Sequence, residues 1–167
     1  MQTDSAFLDS LDRLLSDETG WDSALAGILE RFGADSGTIH LLAADGLLHL
    51  KSASAGLPRI VLETVRTVPV GKGMAGLAVE RRQPVNACNI QTDTSGDVRP
   101  GARATGLQGS IVVPMFDGDA AVGALGIANS TERTFTDEET ASLVEVGRVL
   151  ARHAPTGRRR TRRNIGR

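Results

Sequence analysis

Tyrosine is absent from this sequence, and phenylalanine and tryptophan together make up 3% of it. The core must therefore be assembled from Leu, Val, Ile and Ala, and stacking of bases on aromatic side chains has few platforms. A single cysteine, Cys88, cannot close an internal disulfide. No Cys/His cluster has metal-ligand spacing, and both features agree with a reducing compartment and with no bound metal. Long apolar runs are also missing. None approaches the roughly 20 residues that span a bilayer, and the opening MQTDSAFLDSLDRL lacks a basic segment leading into an apolar one. The expectation is a cytoplasmic protein without a membrane anchor.

Positive charge is short in the body and concentrated at one end. Six of the 19 basic residues are arginines within the last ten positions, RRRTRRNIGR, and the 13 that remain face 20 acidic residues. An acidic body with a basic tail follows. The tail could meet nucleic acid or anionic lipid through counterion release, but with no helix-turn-helix or RNA-binding pattern nucleic-acid recognition is not expected. A length of 167 residues suits one domain with a real core.

What is present is a clear order of elements. Phe7, Leu8, Leu11, Leu14 and Leu15 share a helical face, and Trp21, Leu25, Ile28, Leu29 and Phe32 repeat the pattern. In TIHLLAADGLLHLKSA two β-favouring runs flank Asp45-Gly46, the signature of a tight hairpin. A short helix is expected from Pro58 to Thr67, and Thr67-Val68-Pro69-Val70 makes a poor central strand. GKGMAG then leads into LAVERR, a second short helix, and PVNAC reads as a brief strand. SIVVPMF and VGALGIAN flank Asp117-Gly118 as another hairpin, in which Pro114 demands an edge, a bulge or a strand end. Thr136 with Glu139 forms a capping box. It opens a helix carrying Leu143, Val146, Leu150 and His153 on one face, closed by Pro155 and Gly157. Strands joined by tight turns with helices at both chain ends make an α+β domain with an antiparallel sheet.

Between the strand PVNAC and the last hairpin runs NACNIQTDTSGDVRPGARATGLQGS, from Asn86 to Ser110, with few large apolar side chains. Loops of this length in compact domains are lids, binding loops or disordered segments. Gly71-Lys72-Gly73-Met74-Ala75-Gly76 matches the dinucleotide fingerprint G-x-G-x-x-G, yet no βαβ unit surrounds it, and a turn that starts a short helix is the better account. Cys88 could act as a nucleophile if a base lowered its pKa. His40, His49 and His153 are not in a recognisable catalytic motif, so a small half-buried residue at a strand end is the preferred reading. For His40 a structural role and a ligand contact both stay open. His153 at a helix end suits the dipole.

From about Trp21 to about Arg152 the chain resembles a GAF domain, the small regulatory domain of phosphodiesterases, phytochromes and bacterial sensors. The resemblance rests on TIHLLAADGLLHL as first hairpin, GKGMAGLAVERRQPV as glycine-rich turn, helix and strand, and GLQGSIVVPMFDGDAAVGALGIAN as last hairpin. NSTERTFTDEETASLVEVGRVLA is similar to the family's closing phenylalanine and C-terminal helix. It implies a central antiparallel sheet with the N- and C-terminal helices on one face and a loop-covered ligand pocket on the other. The implied organisation is an N-terminal helix over 1–18, the domain over 19–154, and a basic tail over 155–167 expected to be disordered. The terminal helices would form a homodimer, and the Asn86–Ser110 segment would cover the pocket.

Family subclasses are separable on residues. The cyclic-nucleotide class carries Asn-Lys, then Phe, three residues and Asp-Glu. Here Asn129 precedes Ser130, and one residue separates Phe135 from Asp137-Glu138. Free methionine sulfoxide reductases use several cysteines, which one Cys88 cannot supply. Phytochrome-type domains need a chromophore cysteine in their own motif. No cofactor is identified. The polar residues expected at the ligand are His40, Asn86, Cys88, Asp93, Asp97, Arg99, Arg103, Gln108 and Ser110, over an apolar floor of Ile111, Val113 and Leu125. Arg99 or Arg103 would neutralise an anionic group, and the mixture of charges also admits a zwitterion. The expected function is a non-enzymatic bacterial sensor that binds a small molecule and signals to a separate partner. A single-cysteine thiol enzyme and a ligand-free dimerisation or adaptor module are the alternatives.

Overall fold

In the computed structural model, which describes residues 5–155, helix α1 (Ser5–Leu15) leads through a short 3-10 turn into α2 (Trp21–Phe32). Strands β1 (Ser36–Leu42) and β2 (Leu47–Ala53) follow, then α3 (Arg59–Val65), the short strand β3 (Thr67–Pro69) and α4 (Gly73–Arg81). Next come β4 (Val85–Ala87), a 3-10 turn at Pro100–Thr105, β5 (Ser110–Asp117), β6 (Ala120–Ala128) and α5 (Asp137–Arg152). The tail expected to be disordered lies outside the described residues from position 156 onward.

The six strands form one antiparallel sheet in the order β3-β2-β1-β6-β5-β4. Thr67 belongs to a strand and not to the preceding helix. The chain leaves α3 after Val65 and pairs Leu47 with Pro69 and His49 with Thr67, at the sheet edge where a proline removes no needed ladder bond. Pro114 is accommodated in a related way. Strand β4 pairs with Ser110, Ile111 and Val112 only, so Pro114 has β6 alone as a neighbour, and a register shift follows at Met115/Phe116. The capping box forms as expected. Thr136 Oγ1 accepts from Glu139 N–H at 3.1 Å, and the Glu139 carboxylate accepts from Thr136 N–H at 3.1 Å.

Each face of the sheet has its own core. Ile39, Ile111, Val113, Met115, Leu125 and Ile127 meet the buried sides of α1, α2 and α5 in the larger one. On the opposite face α4 packs Ala78 and Val79 against Leu48, Val68, Val112 and Ala124. This alternation corrects the expected pocket floor. Ile111, Val113 and Leu125 belong to the helix-covered core, because successive residues of a strand point to opposite faces, and the pocket lies on the side of Val112.

The terminal helices are stitched together by polar contacts at their rims. Asp12 of α1 accepts from His153 Nε2 at 2.9 Å, and the Arg31 guanidinium of α2 lies over the Phe7 ring. No helix among the described residues is long and apolar enough to cross a membrane.

Candidate functional site

The second face of the sheet leaves a cavity of about 290 Å³ beside the α4 core. Its floor follows from strand register. One cross-strand row is Ser36, Ala128 and Ser110, and the next is Thr38, Gly126 and Val112, with His40 beyond. Only Val112 and His40 in these rows are larger than threonine. Small side chains on a sheet face covered at a distance leave space that a packed core would fill. The volume lies at the lower end of the roughly 300–1,000 Å³ typical of small-molecule pockets.

The walls come from three further places. Helix α3 presents Val61, Thr64 and Val65, with Leu57 just before it. The N-terminal turn of α4 presents Lys72, Gly73, Met74 and Ala75. The long polar segment supplies Ile90, Arg99, Ala102, Thr105 and Leu107.

That segment is ordered by its own chemistry. Ile90, Val98 and Ala87 make a small core with Met74, Ala102 and Leu107. Its polar side chains mostly satisfy its own backbone: Gln91 Nε2 donates to Leu107 O at 2.8 Å and to Arg103 O at 3.1 Å, and Arg103 donates to Asp93 O at 3.1 Å. Ile90 N–H donates to Gln108 O at 2.8 Å. Asp97 clamps the segment to α4 through a two-point pair with Arg81 at 2.9 and 3.1 Å. A closed set of local bonds of this kind turns a glycine-rich excursion into a cover.

The nine expected site residues separate accordingly. His40, Arg99 and Ser110 line the cavity. The other six are placed elsewhere. Asn86 is the outward residue of β4. Cys88 is exposed at that strand's end, where its sulfur accepts from Thr134 Oγ1 at 3.7 Å. Asp93 is occupied by Ser95 at 2.5 Å, Asp97 by Arg81, and Arg103 by the Asp93 carbonyl. Gln108 contributes its backbone, donating to Asn129 O and accepting from Ile90. Polar residues in a long loop are consumed first by the loop's own unpaired backbone.

Lys72, Gly73, Met74 and the α3 residues were not expected at the site. The signal was the GKGMAG turn itself. Gly73 adopts φ +63°, and a Cβ there would stand 2.8 Å from Arg99 Cδ, so the absent side chain is what lets Arg99 lie across the start of α4. A Cβ on Gly76 would collide with the Pro69 carbonyl oxygen. The fingerprint-like spacing thus belongs to a turn packed between β3, α4 and the cover.

His40 is 3% exposed, and its Nε2 lies 2.8 Å from Val65 O, tying α3 to the sheet. Burial holds its pKa below the usual 6.5, the bond to Val65 opposing only in part. The neutral ring therefore donates from Nε2, and Nδ1 is left as a buried acceptor without a partner among the described residues. Below about pH 6.5 the unfolded chain binds a proton here that the folded chain declines, so stability falls on acidification. The expected slope is at most about 1.4 kcal/mol per pH unit. Denaturant unfolding from pH 7.5 to 5.5 should show a steeper loss in the parent than in His40→Gln; parallel curves would refute the assignment.

Comparison with known proteins agrees with this fold. The GAF domain family profile matches residues 21–153. No curated protein matches the chain. The GAF domain of an Acinetobacter phosphoenolpyruvate-protein phosphotransferase is similar in structure at TM-score 0.71 and 17% identity, covering 97% of this chain and 95% of that one. Free methionine-R-sulfoxide reductase from Neisseria meningitidis, in complex with its substrate, is similar at TM-score 0.69 and 18% identity, over 87% of this chain and 84% of its own. The corresponding Staphylococcus aureus enzyme, also with substrate, gives TM-score 0.68 at 18% identity over 90% and 95%. Likeness at these identities is a likeness of fold. With the family profile spanning most of its length, the chain belongs to the GAF domain family.

Proposed function

We propose that this GAF domain is a non-enzymatic sensor that encloses a small molecule between its sheet and the 86–110 segment and signals to a separate partner. The carrying observation is the cavity: a floor of serine, threonine, glycine and alanine with Val112 and His40, roofed by α3 and by an internally bonded cover. A domain used only for contacts gains nothing from that arrangement, since filling the space with larger side chains would stabilise it. The cover supplies the change to be sensed, because α3, α4 and the segment all touch the same space. Homodimerisation through the terminal helices belongs to this reading, and Leu14 of α1 is an exposed apolar residue on them.

The similarity to sulfoxide reductases favours a thiol enzyme as second reading. Reduction of a sulfoxide by a thiol requires the sulfur atoms to meet. Cys88 stands exposed outside the cavity lining, which supports the sensor over the enzyme.

Native mass spectrometry of the protein purified from its own host, beside an Ala128→Phe variant checked for folding by circular dichroism, tests the proposal. The parent is expected to carry an added small-molecule mass that the variant lacks. An unliganded parent whose 86–110 amides exchange as fast as free peptide would refute the sensor reading in favour of the adaptor.

A further inference from the structure

The charged side chains that line the cavity have one sign. Among the described residues lining it, Lys72 and Arg99 are the charged side chains, and no aspartate or glutamate joins them. Other arginines near the cover are answered: Arg81 by Asp97, Arg103 by the Asp93 carbonyl, Arg133 by Glu139 at 2.6 Å. No ion pair among the described residues engages Lys72 or Arg99. Both are exposed residues at the mouth of the cavity, so two cations without an acidic partner there set a positive potential that favours an entering anion.

The backbone beside them carries the same sign. Helix α4 begins at Gly73 with Lys72 as its cap residue, and no side chain caps that end. The amides of Gly73, Met74 and Ala75 find no acceptor among the described residues, while those of Lys72 and Gly76 donate to Pro69 O and Lys72 O. First-turn amides have no partner inside their own helix, and the dipole adds positive potential there. His40, more than nine-tenths buried in the same wall, keeps the unpartnered Nδ1 noted above, an acceptor that a donor group on a ligand would satisfy and an acidic head would not. The remaining walls, Val61, Val65, Ile90, Leu107 and Val112 among them, are apolar.

We infer that the ligand is a small organic anion with one acidic head and an apolar body, and without an ammonium group. The head sits at the start of α4 between Lys72 and Arg99, where a guanidinium and backbone amides together suit a carboxylate. The body lies over the small-residue floor. A zwitterionic amino acid, such as free methionine-R-sulfoxide, would bring an ammonium into a site with two cations and no acid. This inference rests on the sensor reading, since it assigns chemistry to the same cavity.

Three skeletons fitting the cavity, 4-methylpentanoate, hexanoate and 3-phenylpropionate, are each titrated by NMR beside their primary amides and their 2-amino analogues leucine, norleucine and phenylalanine. At least one carboxylate is expected to bind about tenfold or more tighter than its amide and its amino acid. Arg99→Gln and Lys72→Gln should each bring that carboxylate to within about threefold of its amide, leaving amide affinity unchanged. Amides binding as well as acids would overturn the anion inference and leave the sensor reading standing. Amino acids binding as well would replace the anion by a zwitterion. If none of the nine probes shifts a cavity resonance, the anion inference falls, while the sensor reading stands or falls on native mass spectrometry.

Discussion

Truncating Ile111 to alanine is expected to destabilise the protein by about 2–5 kcal/mol and to leave carboxylate affinity within about twofold of the parent. Truncating its neighbour Val112 should do the reverse, costing about 1–2 kcal/mol of stability and changing affinity more. The two residues are adjacent on β5 and differ in what lies above them. Ile111 is 0% exposed in the core beneath α1, α2 and α5, so its removal leaves a void among side chains fixed by three helices. Val112 faces α4 and the cavity, where its loss enlarges a space that already exists. Urea unfolding with probe titration of both variants decides the matter. Equal stability losses and equal affinity changes would mean that the faces are not separated as described.

That pair also locates what the sequence could and could not convey. Hairpins, terminal helices and the capping box depend on contacts a few residues apart, so alternation, Asp-Gly turns and Thr136 with Glu139 announce them. The face on which each strand residue ends depends on which side the helices cover. SIVVPMF is apolar at both parities and is buried along nearly its whole length, as strands covered on both faces are. Nothing in such a run says whether Ile111 or Val112 floors the pocket. The family resemblance placed the pocket opposite the terminal helices, and only the register with Thr38 and Gly126 fixes which side chains reach it.

The cover shows a different limit. Its length and polarity pointed to a lid, but its polar residues were expected to face a ligand. Gln91, a residue without an assigned role in the sequence reading, holds the carbonyls of Arg103 and Leu107. Asp93, Asp97 and Arg103 are likewise used in closing the segment on itself and on α4. Arg99 differs because it stands just before the 3-10 turn, its guanidinium in no ion pair among the described residues, and reaches back over Gly73. Whether a loop arginine is structural or free is decided by three-dimensional closure, which no local spacing encodes. The GKGMAG turn held the missing half of the site, and its match to a dinucleotide motif drew attention to its glycines for a reason unrelated to their use here.

Gly73 carries the last and most specific expectation. Replacing it with alanine imposes two separable penalties. A residue with a Cβ at φ +63° is strained by about 1–2 kcal/mol, and the new carbon would stand 2.8 Å from Arg99 Cδ, forcing the guanidinium off the start of α4. Asparagine separates the two, because its side chain tolerates the left-handed region while its Cβ still crowds Arg99. Gly73→Ala should therefore lose about 1–2 kcal/mol of stability and Gly73→Asn clearly less. Both should weaken carboxylate binding by about tenfold and leave the matching amide unaffected, since only the charged head depends on where Arg99 lies. An asparagine variant that kept parental carboxylate affinity would mean that Arg99 need not rest on Gly73 to do its work. Parental affinity in the alanine variant as well would mean that Lys72 and the first-turn amides hold the head without Arg99.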